Sequence, residues 1–475
     1  VFIGREEELN MLRERRNLKD ASFIVLKGRR RIGKSRLIRE YSKEFPRSFF
    51  FTGLPPTDGI TSQDQKNEFI RQMGEQGLPR LQSDDWGDIF WILSKACEQG
   101  SVLIALDEIS WMGSKDKTFL GKLKVAWDTH FEKNSKLILI VAGSISSWID
   151  KNIIKSTGFL GRIDLSITLK ELPVRDCVRF WGKKGNLVSA YEKLKVLGVT
   201  GGVPRYLMEI QPQKTAEQNI SSLCFSEGGL LANEFEQIFH DLFSKKSQTY
   251  RKIVETLIDR HSLTQEEISK YLGKQRGRIL STYLEDLVTA GFLSADYTWD
   301  VKTKKISKLR KYRVSDNYLR FYLKYIAPNK EKLRQHTVDV ASLFNSGSWE
   351  AIMGLQFENL VMRNSRELLE ILNISPSEWV MGGPYFQRKT QRHKGCQIDF
   401  LIQTKSTLYV CEIKFSRNPL GAGIIEEVQE KIEKLIIPKL TSVRPVLIHI
   451  GGVKEEVKGA DFFDSIIDWT QVLTS

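Results

Sequence analysis

Cysteine is scarce, with five in 475 residues: Cys97, Cys177, Cys224, Cys396 and Cys411. None falls in a Cys-x-x-Cys or other zinc-ligand spacing, and the six histidines are scattered. This argues against a structural zinc site or a disulfide framework; free thiols in a reducing, cytoplasmic setting are expected. Long apolar runs are also missing. No 18 consecutive apolar residues occur, so neither a transmembrane helix nor a membrane partner is expected. No secretory signal opens the chain, and a start at Val1 rather than Met leads us to expect a few further native residues before it. What is present is a globular composition, 41% hydrophobic and 27% charged. The length is too great for one ordinary core and implies two to four domains. The net charge of +14 invites an anionic partner, most often nucleic acid, although a generally lysine-rich composition gives the same sum.

The stretch KGRRRIGKSRLIREY at 27–41 follows the apolar run Phe23-Ile24-Val25-Leu26 and leads into helix-forming residues. Its spacing, Gly28-Arg29-Arg30-Arg31-Ile32-Gly33-Lys34-Ser35, fits G-x-x-x-x-G-K-[ST]. A triphosphate needs backbone N–H groups aimed inward from a tight loop, and glycine leaves room for it. Lys34 would carry charge to the β- and γ-phosphates, Ser35 would place a hydroxyl on Mg2+, and the helix beginning there adds its positive end. Gly28, Arg31, Ile32, Gly33, Lys34, Ser35 and Arg36 are the expected nucleotide contacts. The structural alternative is a plain Gly/Arg turn.

A second apolar run, Val102–Leu106, reads as a parallel strand covered on both faces and ends in Asp107-Glu108. Asp107 would hold the metal's water shell and Glu108 would polarise the attacking water. A buried strand with an acidic stop is the blander reading. A third run, 137–141, ends at Ala142-Gly143-Ser144, where Ser144 would sense the γ-phosphate or position water, or serve only as a turn serine.

FIGREEELNML, the loop above, LIALDEIS, LILIVAGS, GFLGRI and TGGVPRYL occur in that order. Together they resemble the archaeal-type branch of AAA-like, signal-transduction (STAND) ATPases over roughly the first half of the chain. The resemblance implies an α/β fold: a P-loop NTPase parallel sheet with a helical lid. It places Phe2, Ile3, Gly4 and Arg5 beside the base, and Gly202 and Pro204 close to the nucleotide. Arg162 matches the family's "GR" arginine, which reaches the γ-phosphate. Acting in trans, Arg162 would imply assembly; acting in cis, it would not. Relatives form rings or rest as monomers, so a homo-oligomer or a protein partner stays open.

The expected organisation is an ATPase core at 1–165, a helical lid at 166–240, a winged helix at 241–330 and a last domain at 340–475. TYRKIVETLID, LTQEEISKYLG and GRILSTYLEDLVTAGFL read as three helices, with Thr264 and Glu267 forming a capping box. A basic hairpin follows. Lys274, Arg276 and Arg278 near the third helix, with Lys302, Lys304, Lys305, Lys308, Arg310 and Lys311 on the wing, suit DNA phosphates. A packing module with a solvated edge would look the same.

In QIDFLIQTKSTLYVCEIKFS two strands flank a polar turn at 403–406. Glu412 and Lys414 lie two apart and share a face, with Asp399 on the partner strand. Asp399 and Glu412 would bind Mg2+, with Glu358 from the helix GLQFENLVMRN completing the shell. Lys414 would steady the attacking water or the pentacovalent charge. Gln429, on the downstream helix, and His393 and Lys394 are further candidates. This region resembles a C-terminal domain often fused to this ATPase branch, which implies a restriction-endonuclease-like α/β domain of PD-(D/E)XK type. Ordinary salt bridges on a strand face are the alternative. The expected function is an ATP switch, with ATP and Mg2+ as cofactors. It would be coupled through the winged helix and last domain to DNA binding or cleavage. The rival is a nucleotide-gated signalling or DNA/protein-binding module without nuclease activity.

Overall fold

The computed structural model describes all residues except 1, 56, 58, 81, 244, 245, 274–276, 336–339, 392 and 475, and the side chains at 240 and 241. The chain forms two compact units, Val1–Glu171 and Leu172–Ser475.

The first unit is built on five strands: β1 (Ser22–Lys27), β2 (Arg47–Thr52), β3 (Val102–Asp107), β4 (Leu137–Gly143) and β5 (Ile163–Thr168). All neighbours pair in parallel, in the order β2-β3-β4-β1-β5. The three central strands are continuously apolar along their middles, with polar residues only at their ends, because both faces are covered. Alternate residues separate onto two cores. Phe23, Val25, Ile104, Leu106, Leu139 and Val141 face one; Ile24, Leu26, Leu103, Ala105, Ile138 and Ile140 face the other, against Leu37, Ile38 and Tyr41. The boundary expected at 165 falls inside β5, and residues 166–168, the first of the segment expected to be helical, still belong to that strand.

The second unit begins with helices that include Ala190–Thr200, Ala216–Cys224 and Leu230–Phe243. Helix Ser247–Glu255, β6 (Leu263–Thr264), helix Gln265–Tyr271, helix Arg278–Thr289, β7 (Leu293–Trp299) and β8 (Ile306–Val314) follow. The three strands form an antiparallel sheet in the order β6-β8-β7. The Thr264 hydroxyl accepts from Glu267 N at 3.3 Å while Glu267 accepts from Thr264 N at 2.7 Å, the capping box that the spacing predicts. Helix Gly347–Arg363 precedes the second sheet of this unit. Its strands are β9 (Trp379–Gln387), β10 (Cys396–Thr404), β11 (Thr407–Phe415), β12 (Ser442–Ile450) and β13 (Ser465–Asp468), in the order β13-β12-β11-β10-β9. The β9–β10 and β10–β11 pairs are antiparallel; β11–β12 and β12–β13 are parallel.

The three modules expected beyond the ATPase core share their cores. Val199, Tyr206 and Phe235 pack with Ile253, Leu284 and Tyr312, and with Trp349 and Met353. Trp181, Leu194 and Leu197 pack with Phe357, Ile413 and Trp469. A buried polar network reinforces this. The Arg313 guanidinium pairs with Asp296 at 2.9 Å and bonds the Asn359 carboxamide. Asn359 Nδ2 donates to Val314 O and Asn317 Oδ1, both at 3.0 Å. Gln356 Nε2 donates to Asn317 O at 2.7 Å.

Candidate functional site

The loop between β1 and helix Lys34–Ser42 turns through three positive-φ residues: Gly28 at 153°, Arg31 at 71° and Gly33 at 98°. A β-carbon on Gly28 would stand 2.7 Å from Leu169 O, so backbone packing as well as phosphate clearance demands glycine there. Lys34 is buried, and its ammonium donates to Gly28 O at 2.9 Å and Arg29 O at 3.2 Å, holding the loop closed on itself. Burial lowers its pKa, against the pull of Glu108 and Asp107. Ser35 Oγ donates to the Asp107 carboxylate. These two hard oxygen donors come together from separate elements, a donor set that fits Mg2+. Glu108, at φ 51°, opens the short helix Ile109–Met112. Its carboxylate accepts from Ser144 N at 3.1 Å and Ser144 Oγ at 2.9 Å, so the ends of β3 and β4 are tied together.

The Arg5 guanidinium is buried and donates to Ile32 O at 3.1 Å and Lys170 O at 2.6 Å. It clamps the N-terminal segment to the loop. Gly4 is buried, with φ 69°, while Phe2 and Ile3 are half-buried. The Ile32 side chain lies in the core, leaving only its backbone to face a phosphate. Arg36 is exposed on the helix's first turn. Pro204 belongs to the second unit, where it opens helix Pro204–Leu207.

Arg162 is not where a γ-phosphate contact within one chain requires it. It precedes β5, and Ile163 pairs with Phe23 at the start of β1. The phosphate loop follows the other end of that six-residue strand. At about 3.3 Å per residue the separation is roughly 16–20 Å. Arg162 instead forms a two-pronged pair with Asp128, at 2.6 and 2.9 Å.

In the second unit a cavity of about 530 Å³ brings together Glu358, Asp399, Glu412 and Lys414, with His261, Glu427 and Lys431. Asp399 Oδ2 accepts from Ile413 N at 2.9 Å across the β10–β11 pair. Glu412 is fully buried; Lys431 Nζ lies 2.7 and 2.6 Å from its two oxygens, and Lys414 Nζ 3.0 Å from Oε1. Lys414 also donates to Glu427 at 2.8 Å. Burial, then Glu412 and Glu358, push the Asp399 carboxyl up to about 7. Burial works against the Lys414 charge, but Glu412 and Glu427 outweigh it and raise its pKa. Glu358 is held at 3.2 Å by His261 Nδ1, and this bond raises the imidazole pKa.

The donors are hard carboxylates, and the Lys431 ammonium stands as a cation between Glu412 and Asp399, so the chemistry of this site suits a divalent ion. As the side chains lie, no three Asp, Glu, His or Cys groups among the described residues are placed to hold a metal together.

Lys431, Glu427 and His261 are absent from the sequence-based set. The signal for the first two was the pattern on helix Gly423–Lys434, where they are four apart beside the buried stripe of Ile424 and Val428. Gln429 is turned outward to Glu433. His393 and Lys394 are exposed, and neither lines the cavity. Nothing local in the sequence pointed His261, 97 positions earlier, at Glu358.

The basic hairpin is only partly solvent-facing. Lys302, Lys304, Lys305 and Lys308 are exposed. Arg310 bonds the Tyr297 hydroxyl at 3.2 Å and faces Glu285 at 3.6 Å. Lys311 donates to Gln397 at 3.2 Å and lies over the Phe386 ring. The end of β7 is buried against the last sheet: Trp299 Nε1 donates to Gln403 Oε1 at 2.7 Å, and Gln403 Nε2 to Val301 O at 2.8 Å. Arg278 is exposed at the third helix's start; Lys274 and Arg276 lie outside the described residues. No helix among the described residues is long and apolar enough to cross a membrane.

Residues 2–210 match the family model described as an ATPase domain predominantly from Archaea. An uncharacterized protein of Methanocaldococcus jannaschii is 24% identical over 430 residues, spanning 87% of this chain and 88% of its own length. An uncharacterized ATP-binding protein of the same organism is 40% identical over 53 residues, 11% of this chain and 90% of that protein. Among solved structures, the Walker-type ATPase of Pyrococcus abyssi aligns with a TM-score of 0.52 at 19% identity, covering 68% of this chain and 96% of that one. With the loop, the acid pair and the parallel sheet, these findings identify the chain as the carrier of a P-loop ATPase domain of the predominantly archaeal family.

Proposed function

We propose that the ATPase is a switch whose second unit binds DNA and carries a nuclease-like, metal-dependent phosphodiester site. In the first unit Lys34 would leave its loop carbonyls for the β- and γ-phosphates. Ser35 and Asp107 would hold Mg2+, which when bound draws negative charge off the phosphates. Glu108, oriented by Ser144, would take a proton from the attacking water.

In the second unit, the three helices and small antiparallel sheet at 247–314 read as a winged helix, and the sheet from β9 to β13 as the nuclease-like domain. The observation that carries this reading is Asp399, Glu412 and Lys414 facing one cavity from adjoining strands, with Glu358 beside them. Glu412 and Glu358 are buried and Asp399 largely so, and carboxylates gathered out of water repel one another unless cations hold them, which is what the two lysines do here and a divalent ion could do. Asp399 and Glu412 would hold the divalent ion, Lys414 would stabilise charge on a phosphodiester, and His261 keeps Glu358 in place. The burial of Trp299 and Val301 favours a second reading for the hairpin, as a packing element that fixes the last domain.

The test measures ATP turnover with and without DNA, and divalent-metal cleavage of duplex, single-stranded and branched DNA. DNA-stimulated turnover that falls at least about a hundredfold in Lys34→Ala, with cleavage lost in Asp399→Ala, is the expected result. Absence of cleavage on every substrate would leave a nucleotide-gated binding module.

A further inference from the structure

The cavity in the second unit contains a cation of the chain's own. Lys431 Nζ lies at near-equal distances from both Glu412 oxygens, 3.4 Å from Glu427 and 3.9 Å from Asp399. A small cation shared by both oxygens of one buried carboxylate and facing a second carboxylate occupies the ground a divalent ion would take. Six carboxylates line the cavity against two lysines and one histidine, so acid remains in excess even with Lys431 in place.

The two lysines are held differently. Lys414 sits on β11 with Glu427 as a second partner at 2.8 Å, and reaches Glu412 from the strand itself. Lys431 reaches in from helix Gly423–Lys434, anchored beneath by Ile424 and Val428. Its flexible four-carbon stem lets the ammonium swing away while the helix stays put. Glu412 then keeps Lys414 and is not left bare.

We infer that Lys431 is the resident counter-ion of this site: it neutralises Glu412 until a divalent cation displaces it, and the displaced ammonium then faces the phosphodiester. The inference rests on reading the cavity as a metal-dependent phosphodiester site. It gives the metal-free enzyme a stable resting state, because a fully buried carboxylate is never left unpaired.

The experiment titrates Mn2+ into the full chain without nucleotide, every protein carrying Asp107→Asn so that the first unit's own metal donor is removed, by calorimetry and by the paramagnetic signal of the free ion. In that background it compares wild type, Lys431→Gln, Lys431→Met and Glu412→Gln. Removing a competing unit charge at contact distance should tighten Mn2+ binding at least about tenfold in both Lys431 variants. Glu412→Gln should abolish that binding. Melting curves provide a readout if Lys431→Met folds poorly: the variant should melt lower than wild type without metal, and Mn2+ should raise it more than it raises wild type. Equal Mn2+ affinity in wild type and both Lys431 variants overturns the inference while leaving the metal-site reading intact. Uptake that survives Glu412→Gln overturns it as well. No uptake by any of the proteins overturns the metal-site reading, and the inference with it.

Discussion

Asp399 shows how one residue's surroundings decide its behaviour. Its carboxyl is pushed up to about 7 by burial and by the neighbouring Glu412 and Glu358. A carboxyl whose folded pKa exceeds its unfolded value binds more protons in the folded state, so stability falls as pH rises from about 4 to about 7. In metal-free protein, Asp399→Asn should therefore raise stability at pH 8 by about 1 kcal/mol or more, and the gain should vanish near pH 4. Denaturant melts at the two pH values, with chelator present, check this; a gain of equal size at both would sink the electrostatic account. At this scale the sequence was readable where chemistry is contiguous. Lys34 and Ser35 share a loop and helix start, Asp107 and Glu108 close a strand, and Glu412 and Lys414 alternate on another. Lys431 and His261 were hidden because their partners are distant in the chain, and only the folded helix and loop bring them to Glu412 and Glu358.

The hairpin of β7 and β8 shows what a single element can be asked to do. Its tip is a tight turn: Thr303 N donates to Asp300 Oδ1 at 2.6 Å, and Lys304 takes φ 59°. Its lysine-rich sequence suggested a free wing, but Trp299 and Val301 at the tip end of β7 are sunk into the core of the last sheet, while Lys302, Lys305 and Lys308 remain exposed. The two roles are separable. Trp299→Ala should cost about 3–5 kcal/mol, because it empties a packed site and orphans Gln403 Oε1. Reversing Lys302, Lys305 and Lys308 together to Glu should leave the melt nearly unchanged. If these lysines meet DNA, that triple variant should flatten the dependence of log affinity on log salt by about 2 to 3. An unchanged slope assigns the hairpin to packing alone. The helices before the hairpin and the Thr264–Glu267 box among them were legible in apolar spacing and capping residues, and the hairpin in its position after them and its basic charge. Docking was invisible because Trp299 reads equally well as a wing aromatic or a core residue.

At the scale of the whole molecule, the position of Arg162 carries a consequence for assembly. In a parallel sheet the loops at the two ends are separated by the full strand, and Arg162 and the phosphate loop lie at opposite ends of β1 and β5. The order of motifs along the chain could not reveal this, because chain order is silent on which sheet end each loop reaches. Any phosphate contact by Arg162 is therefore made to nucleotide on another copy, and requires it to release Asp128. Two defective chains should then rescue each other. Lys34→Ala retains Arg162 but loses its own nucleotide chemistry; Arg162→Ala retains an intact loop but has no arginine to lend. Each alone should turn over ATP at least about a hundredfold more slowly than wild type, and mixing them should restore a sizeable fraction of the activity. Wild-type turnover per chain should also climb with protein concentration until assembly saturates. Arg162→Ala that hydrolyses ATP at the wild-type rate, or turnover per chain that is flat across dilution, would reduce the arginine to a brace for the helix bearing Asp128.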